Sequence, residues 1–329
     1  MKRQGQLIEK IANMENLELA YYKAQKGKAA KNEVNEYSKL LHVHLPELQQ
    51  QIISGNIETG NYSYFTIYDP KKRLICAAPF SQRVLHHALM NVCHPFFEKV
   101  QIFDSYASRT GKGTYAALER AKYFNRSYKW FLKLDFRKYF DSLDHLVLKK
   151  QLDSLFKDRA LIHIFESIID SYSIGQNKGV PIGNLTSQYF ANHYLAHLDH
   201  YVKETLKIRA YVRYMDDMVL WHNDKEILIN AGLQFQQYSE CNLKLTLKPF
   251  CLNQNLQGIP FLGYLLYEDR TRLAHRSRIR FIKKLHICET NIKSTRWTQK
   301  EYQNHVLPLI AFTEYANAKE FRKKAILDF

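Results

Sequence analysis

The chain reads as an α+β protein, and three observations lead there. Apolar residues near the N-terminus recur at three- and four-residue spacing, as one buried helix face does. Two apolar runs flank Asp216-Asp217 and read as a β-hairpin with acids at its turn. The remaining strand-like and helical segments alternate without the regular βαβ period that a doubly wound sheet requires.

In chain order, Leu7, Ile8, Ile11, Met14 and Leu17 mark the first helix face, and a second helical stretch covers 32–54. Gly55 and Gly60 punctuate the segment after it. Tyr62 to Tyr68 is short, aromatic and β-branched, and reads as a strand; Asp69-Pro70 reads as a turn and 73–78 as the returning strand. A helical pattern returns over 80–100. Trp130-Phe-Leu-Lys-Leu-Asp135 is a strand ending in a carboxylate, and helical segments follow across 145–172. Residues 210–222 form the expected hairpin, and Phe261-Leu-Gly-Tyr264 reads as another short strand. From Arg276 onward the chain reads as a basic helical module. The expected divisions are a helical extension over 1–60, a mixed unit over 61–270 and a basic helical unit over 271–329.

With 329 residues, 46% of them hydrophobic, the chain has material for one large domain or two. Its 48 Lys and Arg against 32 Asp and Glu leave a formal charge of +16, which favours partners rich in phosphate. The 22 Tyr and 19 Phe suit stacking on unpaired bases as well as the core. Five cysteines, an odd number without C-x-x-C spacing, argue against a disulfide framework or zinc knuckle and for a reducing compartment. The first residues lack the apolar stretch of a secretory signal, and no run approaches the roughly 18 apolar residues of a membrane span. A cytoplasmic protein without a membrane partner is expected.

The main chemical signal is three acids at element ends. Asp135 ends an apolar strand, and Asp216 and Asp217 sit between Tyr211-Val-Arg-Tyr-Met215 and Met218-Val-Leu-Trp221. Buried strands rarely end in carboxylates without cause, since burying unpaired charge is costly. Two Mg²⁺ ions about 4 Å apart would supply the cause, one activating an attacking hydroxyl and one neutralising a leaving pyrophosphate. Phosphoryl transfer needs chiefly positioning and charge stabilisation, so few protein groups suffice. A plain turn in which Asp-Asp satisfies backbone groups is the bland alternative.

The surrounding residues add a resemblance. Tyr214-Met-Asp-Asp217 in a hairpin resembles the signature of reverse transcriptases. Lys133-Leu-Asp-Phe-Arg-Lys-Tyr-Phe-Asp-Ser-Leu-Asp-His145 is similar to that family's motif A. Gly179-Val-Pro-Ile-Gly-Asn-Leu-Thr-Ser-Gln-Tyr-Phe-Ala-Asn192 is similar to motif B. Arg73 to Leu89 looks like the fingers motifs, Leu243-Lys-Leu-Thr-Leu-Lys248 like motif D, and Phe261-Leu-Gly-Tyr264 like the primer grip of motif E. The resemblance covers about 62–264 in the expected motif order, plus a thumb-like tail.

The resemblance implies a right-hand fold of fingers, palm and thumb, with fingers and palm over 61–270 and the thumb over 271–329. It assigns the metals, Mg²⁺ or Mn²⁺ as a substitute, to Asp135, Asp216 and Asp217, assisted by the Phe136 carbonyl. It places Phe140 under the sugar, where a bulky ring excludes a 2′ hydroxyl. It places Lys71 and Arg73 where the fingers grip the triphosphate, a task for which the arginine fork is suited; which of Lys71, Lys72 and Arg73 does so stays open. Lys248 is a candidate proton donor to pyrophosphate, or a surface lysine.

Motif B narrows the resemblance. Intron-type bacterial enzymes commonly carry Gln-Gly followed by Ser-Pro, whereas here Ile182 precedes Gly183 and Gln188 follows Ser187. That pattern is similar to reverse transcriptases of diversity-generating retroelements, which misincorporate opposite template adenine. Losing a polar side chain under the nascent base pair would remove geometric checks. The implied partners are a template RNA, the RNA/cDNA duplex, dNTPs and a small basic accessory protein. A stand-alone enzyme of retron-like or phage-defence type is the second reading, and a non-catalytic RNA-binding scaffold the third.

Other features carry less. Gly111-Lys-Gly-Thr114 lacks the Ser or Thr that a phosphate-binding loop places after Lys. Ile279, Ile282 and Leu285 interleave with Arg276, Arg278, Arg280, Lys283 and Lys284, so one thumb face is expected to pack on the palm and the other to follow a phosphate backbone. His193 and His197 lack the Glu of a zinc protease and read as packing residues, and His86 and His87 are candidate template contacts.

Overall fold

A computed structural model describes residues 3–68 and 72–327. Four helices open the chain: α1 (Ile8–Ala12), α2 (Met14–Gln25), α3 (Asn32–Lys39) and α4 (Leu41–Ser54). The first periodic run is broken at Asn13, which is extended and whose side chain accepts the Glu15 N–H to cap α2. A hairpin of β1 (Ser63–Ile67) and β2 (Arg73–Ala77) follows, then α5 (Phe80–Lys99) and α6 (Thr114–Ser127). Next come β3 (Trp130–Asp135), α7 (Tyr139–Ser142), α8 (His145–Leu155), α9 (Arg159–Asp170), α10 (Leu185–Tyr194) and α11 (Ala196–His200). The hairpin β4 (Ala210–Tyr214) and β5 (Asp217–His222) leads to α12 (Lys225–Leu243) and β6 (Cys251–Gln254). The small strands β7 (Ile259–Phe261), β8 (Tyr264–Leu266) and β9 (Thr271–Leu273) precede α13 (His275–Lys293), α14 (Gln299–Glu314) and α15 (Lys319–Leu327).

The central sheet is antiparallel throughout, in the order β4-β5-β3-β6. Both of its faces are covered. Leu132, Leu134, Met218 and Leu220 enter the larger core with α5, α8, α9, α10 and α12. Phe131, Val212, Val219 and Trp221 enter a second core with α6, β7 and β8. Two-sided burial explains why β5 reads as a continuous apolar run rather than an alternating one. Each large side chain so buried contributes about 1.5–3 kcal/mol, which leaves the strand ends as the places where charge is tolerated.

Several expectations change. Phe261-Leu-Gly-Tyr264 is not a strand but the turn of a hairpin, with Phe261 paired to Tyr264 and positive φ at Leu262 and Gly263. On α13 the buried stripe is Phe281, Leu285 and Cys288, seated on α14 and α15 through Leu309, Phe321 and Ala325. Ile279 and Ile282 are exposed. Spacings of four and three hold one side of a 3.6-residue turn, whereas repeated steps of three rotate off it. His86 is buried, with its pKa pushed by that burial down to about 3, so it belongs to the core and does not face a template. Among the described residues, no helix is long and apolar enough to cross a membrane.

Candidate active site

The sheet register places the acids. Asp135 at the end of β3 stands opposite Asp217 at the start of β5, and Tyr214 pairs with Asp217 across the two-residue turn Met215-Asp216. The chain extends past β3 through a bridge between Phe136 and Leu247. The Lys248 N–H donates to the Asp135 carbonyl and the Arg137 N–H to the Thr246 carbonyl, which makes Phe136–Leu247 a pair without mutual hydrogen bonds. The Phe136 carbonyl is therefore not used by that ladder. The Phe136 ring is buried between Tyr139 and Phe235, so only its backbone faces the site.

Two lysines serve the carboxylates. Lys248 Nζ donates to Asp135 Oδ2 at 2.5 Å. Lys133 Nζ donates to Asp217 Oδ1 and to the Pro260 carbonyl, both at 2.6 Å. Lys133 lies two residues before Asp135, so strand alternation puts both on one face. Burial, and next the charge of Asp135, hold the Asp216 carboxyl above its usual range. Burial raises that of Asp217 too, countered by Lys133 and a hydrogen bond from the Leu262 backbone.

Among the described residues, no three His, Cys, Asp or Glu side chains stand gathered as a ready-made metal cage. Lys133 and Lys248 take the carboxylate oxygens that a dication would use. The donor set nevertheless suits a hard cation: three carboxylates and a backbone carbonyl, with only two ammonium groups against three acids.

Motif B is stitched to both neighbours. The Val180 N–H donates to the Phe140 carbonyl and the Gly179 N–H to the Leu143 carbonyl. The Cys76 N–H donates to the Ile182 carbonyl at 2.8 Å, and the Ala78 N–H to Asn184 Oδ1 at 3.3 Å. Gly183 has φ +126°, and a Cβ there would come within 3.1 Å of the Cys76 carbonyl oxygen, so the close approach of β2 requires glycine. Ile182 and Phe140 are half-buried, Ser187 is buried, and exposed Gln188 accepts from the Ser108 hydroxyl at 3.1 Å. Lys72 and Arg73 are exposed at the start of β2. Lys71, with the Asp69-Pro70 turn, lies outside the described residues.

The structure thus gathers Asp135, Phe136, Asp216, Asp217 and Lys248 at one end of the sheet, with Phe140, Ile182 and Gly183 joined to each other's segments. Sequence reasoning missed three neighbours of that end: Lys133, the Leu262 N–H and Arg213. Alternation from Asp135 was a signal for Lys133. Nothing local signals Leu262, whose role depends on the β7–β8 turn.

A family model described as reverse transcriptase (RNA-dependent DNA polymerase) matches residues 68–266. A putative COX1/OXI3 intron 2 protein of Saccharomyces cerevisiae is 19% identical over 271 residues, 63% of this chain and 30% of that protein. An uncharacterized 91 kDa protein in the cob intron of Schizosaccharomyces pombe is 26% identical over 155 residues, 45% and 18% of the two chains. The mitochondrial nuclear intron maturase 1 of Arabidopsis thaliana is 30% identical over 88 residues, 27% and 12%. The chain therefore spans less than a third of the length of these relatives. Among solved structures, telomerase of Candida albicans with a fragment of telomeric RNA superposes with TM-score 0.52 at 12% identity, over 86% of this chain and 64% of that one. Apo telomerase of Candida tropicalis, truncated from its C-terminal domain, gives 0.51 at 12% identity over 66% and 56%. At that identity the likeness shows the fold alone, the right-hand polymerase fold that the motifs imply. With the family model covering well over half of it, the chain belongs to the reverse transcriptase (RNA-dependent DNA polymerase) family.

Proposed function

We propose that this chain copies RNA into DNA by metal-assisted nucleotidyl transfer at Asp135, Asp216 and Asp217. The observation that carries the reading is the register: two carboxylates face each other at the ends of doubly buried strands, with a third in the adjoining turn. Asp135, Asp216, Asp217 and the Phe136 carbonyl would hold Mg²⁺ or Mn²⁺. A divalent ion bound there supplies Lewis-acid activation of the primer hydroxyl and charge neutralisation on the phosphates. The primer 3′ hydroxyl loses its proton to solvent as its oxygen bonds to the α-phosphorus, and the bond from that phosphorus to pyrophosphate breaks. Lys248, which donates to Asp135, would deliver a proton to the departing pyrophosphate. Lys72 and Arg73, with Lys71, carry the positive charge offered to the triphosphate. Phe140 supplies the ring that disfavours a 2′ hydroxyl. The partners are a template RNA, the RNA/cDNA duplex and dNTPs, held by fingers and palm over 61–270 and a thumb over 271–329, with the helical extension 1–60 before them.

A finer reading is that the enzyme is the error-prone polymerase of a diversity-generating retroelement, acting with a small basic accessory protein in a cytoplasmic setting. Ile182 before Gly183 and Gln188 after Ser187 support it. Residue 182 carries no polar side chain, and its carbonyl already accepts the Cys76 N–H. The intron proteins among the relatives favour a second reading, an intron-type enzyme of ordinary fidelity.

Primer extension on an RNA template with Mg²⁺, sequenced products and an Asp216→Ala/Asp217→Ala control tests both levels. Extension that the control abolishes, with errors concentrated opposite template adenine, is expected. Accurate cDNA would keep the polymerase and remove the mutagenic role. Extension undiminished in the control would overturn the assignment of the site.

A further inference from the structure

Arg213 lies on β4, on the face of the sheet opposite Lys133 and Asp135, and both it and its partner Asp199 have no exposed side-chain surface. Its guanidinium donates to both Asp199 oxygens at 2.6–2.9 Å and to the Gln101 side chain at 3.0 Å. It also donates to the Asn192 side chain at 2.8 Å and backbone carbonyl at 3.3 Å, and to the Met215 carbonyl at 3.2 Å. Tyr211 adds a hydrogen bond to Asp199 at 2.7 Å.

A buried ion pair is a costly way to hold a sheet together, and apolar residues of similar volume commonly do as well or better. Apolar residues cannot, however, offer donors to the Met215 carbonyl. That carbonyl belongs to a turn that local sequence does not specify. Met215 has φ +55° at the first central position of a two-residue hairpin, where glycine is the usual residue. A bulky side chain in that region is held there by its surroundings. Asp216 is the next residue. Asn192, the other branch of the hub, lies on α10, whose first turn carries Ser187 and Gln188.

We propose that Arg213 is a positioning residue that fixes the Met215-Asp216 turn, and through Asn192 ties the motif B helix to it. The proposal rests on the reading of Asp216 as a metal ligand. Arg213 touches neither substrate nor metal. It acts through the turn, and the same guanidinium that braces the turn senses the helix beneath the nucleotide.

The test compares the full chain with Tyr211→Phe/Asp199→Leu/Arg213→Met, which replaces the buried charge by apolar groups, and with Arg213→Lys, which keeps charge for Asp199 but has no fork. Folding is followed by thermal unfolding, Mn²⁺ binding without nucleic acid by electron paramagnetic resonance, and extension by separate kcat and dNTP KM. A folded variant is expected to bind Mn²⁺ about 10-fold more weakly, as loss of an orienting partner does elsewhere. Its kcat is expected to fall by about 100-fold, the effect of an ångström-scale misplacement, with KM held within about twofold. Asn192→Ala, which cuts one branch, should fall between. Wild-type Mn²⁺ binding and kcat in whichever of the two Arg213 variants folds would overturn the proposal and leave Arg213 as core. Asp216→Asn runs alongside: unchanged Mn²⁺ binding there would instead sink the assignment of Asp216, on which the inference depends.

Discussion

Two ion pairs brace the same hairpin from opposite faces. Behind it, Arg213 and Asp199 have no exposed side-chain surface, and the guanidinium donates to Asp199, Asn192, Gln101 and the Met215 carbonyl. In front, Lys133 and Asp217 keep 21% and 29% of their side-chain surface. With no exposed side-chain surface, the enclosed pair depends on its protein partners for every hydrogen bond it has. The front pair is at the open end of the sheet, where both side chains keep some exposed surface. One pair fixes where the acids stand. The other balances the charge of Asp217 at the open end.

The largest expected effect breaks the comparison most directly. Arg213→Met alone leaves the Asp199 charge buried without its partner, and should lower unfolding free energy by about 3–5 kcal/mol. Lys133→Met, with a half-exposed partner, should cost no more than about 1 kcal/mol. Urea unfolding of the two variants measures both. Similar losses would mean that the enclosed and open pairs are energetically alike.

A smaller effect separates the faces by pH. The helix behind the hairpin carries His193, buried, with its pKa pushed by that burial, and then by His197, down to about 4. The unfolded chain binds the proton near pH 6.5, so the stability from neutral His193 is fully present above that pH and is lost as pH falls toward 4. Between pH 7 and 5 the loss is about 2 kcal/mol, from 1.5 pH units below the unfolded value at about 1.4 kcal/mol each. Denaturant midpoints of the wild type and His193→Leu at both pH values should show the slope reduced in the variant; equal slopes would place the acid sensitivity elsewhere.

The same division explains what sequence could and could not reveal. β3 and the β4–β5 hairpin were legible to the residue, because apolar runs ending in acids leave few other structures open. The chemistry expected of the front face was read from those acids. The support behind was not legible: Arg213 reads as one basic residue in a strand, and only the fold brings Asp199, Asn192 and Gln101 around it. The β7–β8 turn was hidden for a similar reason. Leu262 at φ +49° contradicts its local preference, and the turn is held by the pairing of Phe261 with Tyr264 and by the Ser277 hydroxyl on the Gly263 carbonyl. On α13, three-residue spacing pointed to Ile279, Ile282 and Leu285; Leu285 is buried, but the partner turned out to be α14 and α15, which select the stripe through Phe281 and leave the two isoleucines exposed. In each case local pattern lost to a contact that is distant in sequence.

The smallest effect carries the sharpest sign. If the front pair is exchangeable, Lys133 and a dication compete for Asp217, so removing the lysine should strengthen metal binding while the Arg213 variants weaken it. A single positive charge about 6 Å away across the same carboxylate opposes a dication by about 1.4 kcal/mol even at the dielectric of water, about tenfold in affinity. Lys133→Met should therefore bind Mn²⁺ about tenfold more tightly in the absence of nucleic acid. Extension should nonetheless slow, because Lys133 also holds the Pro260 carbonyl, and its loss frees β7 from that tie to Asp217. Tighter metal with slower extension would separate charge balance from positioning on one residue. Weaker metal binding in Lys133→Met would show that the front lysine shapes Asp217 as Arg213 shapes the turn, and the contrast between the two faces would collapse to one of burial alone.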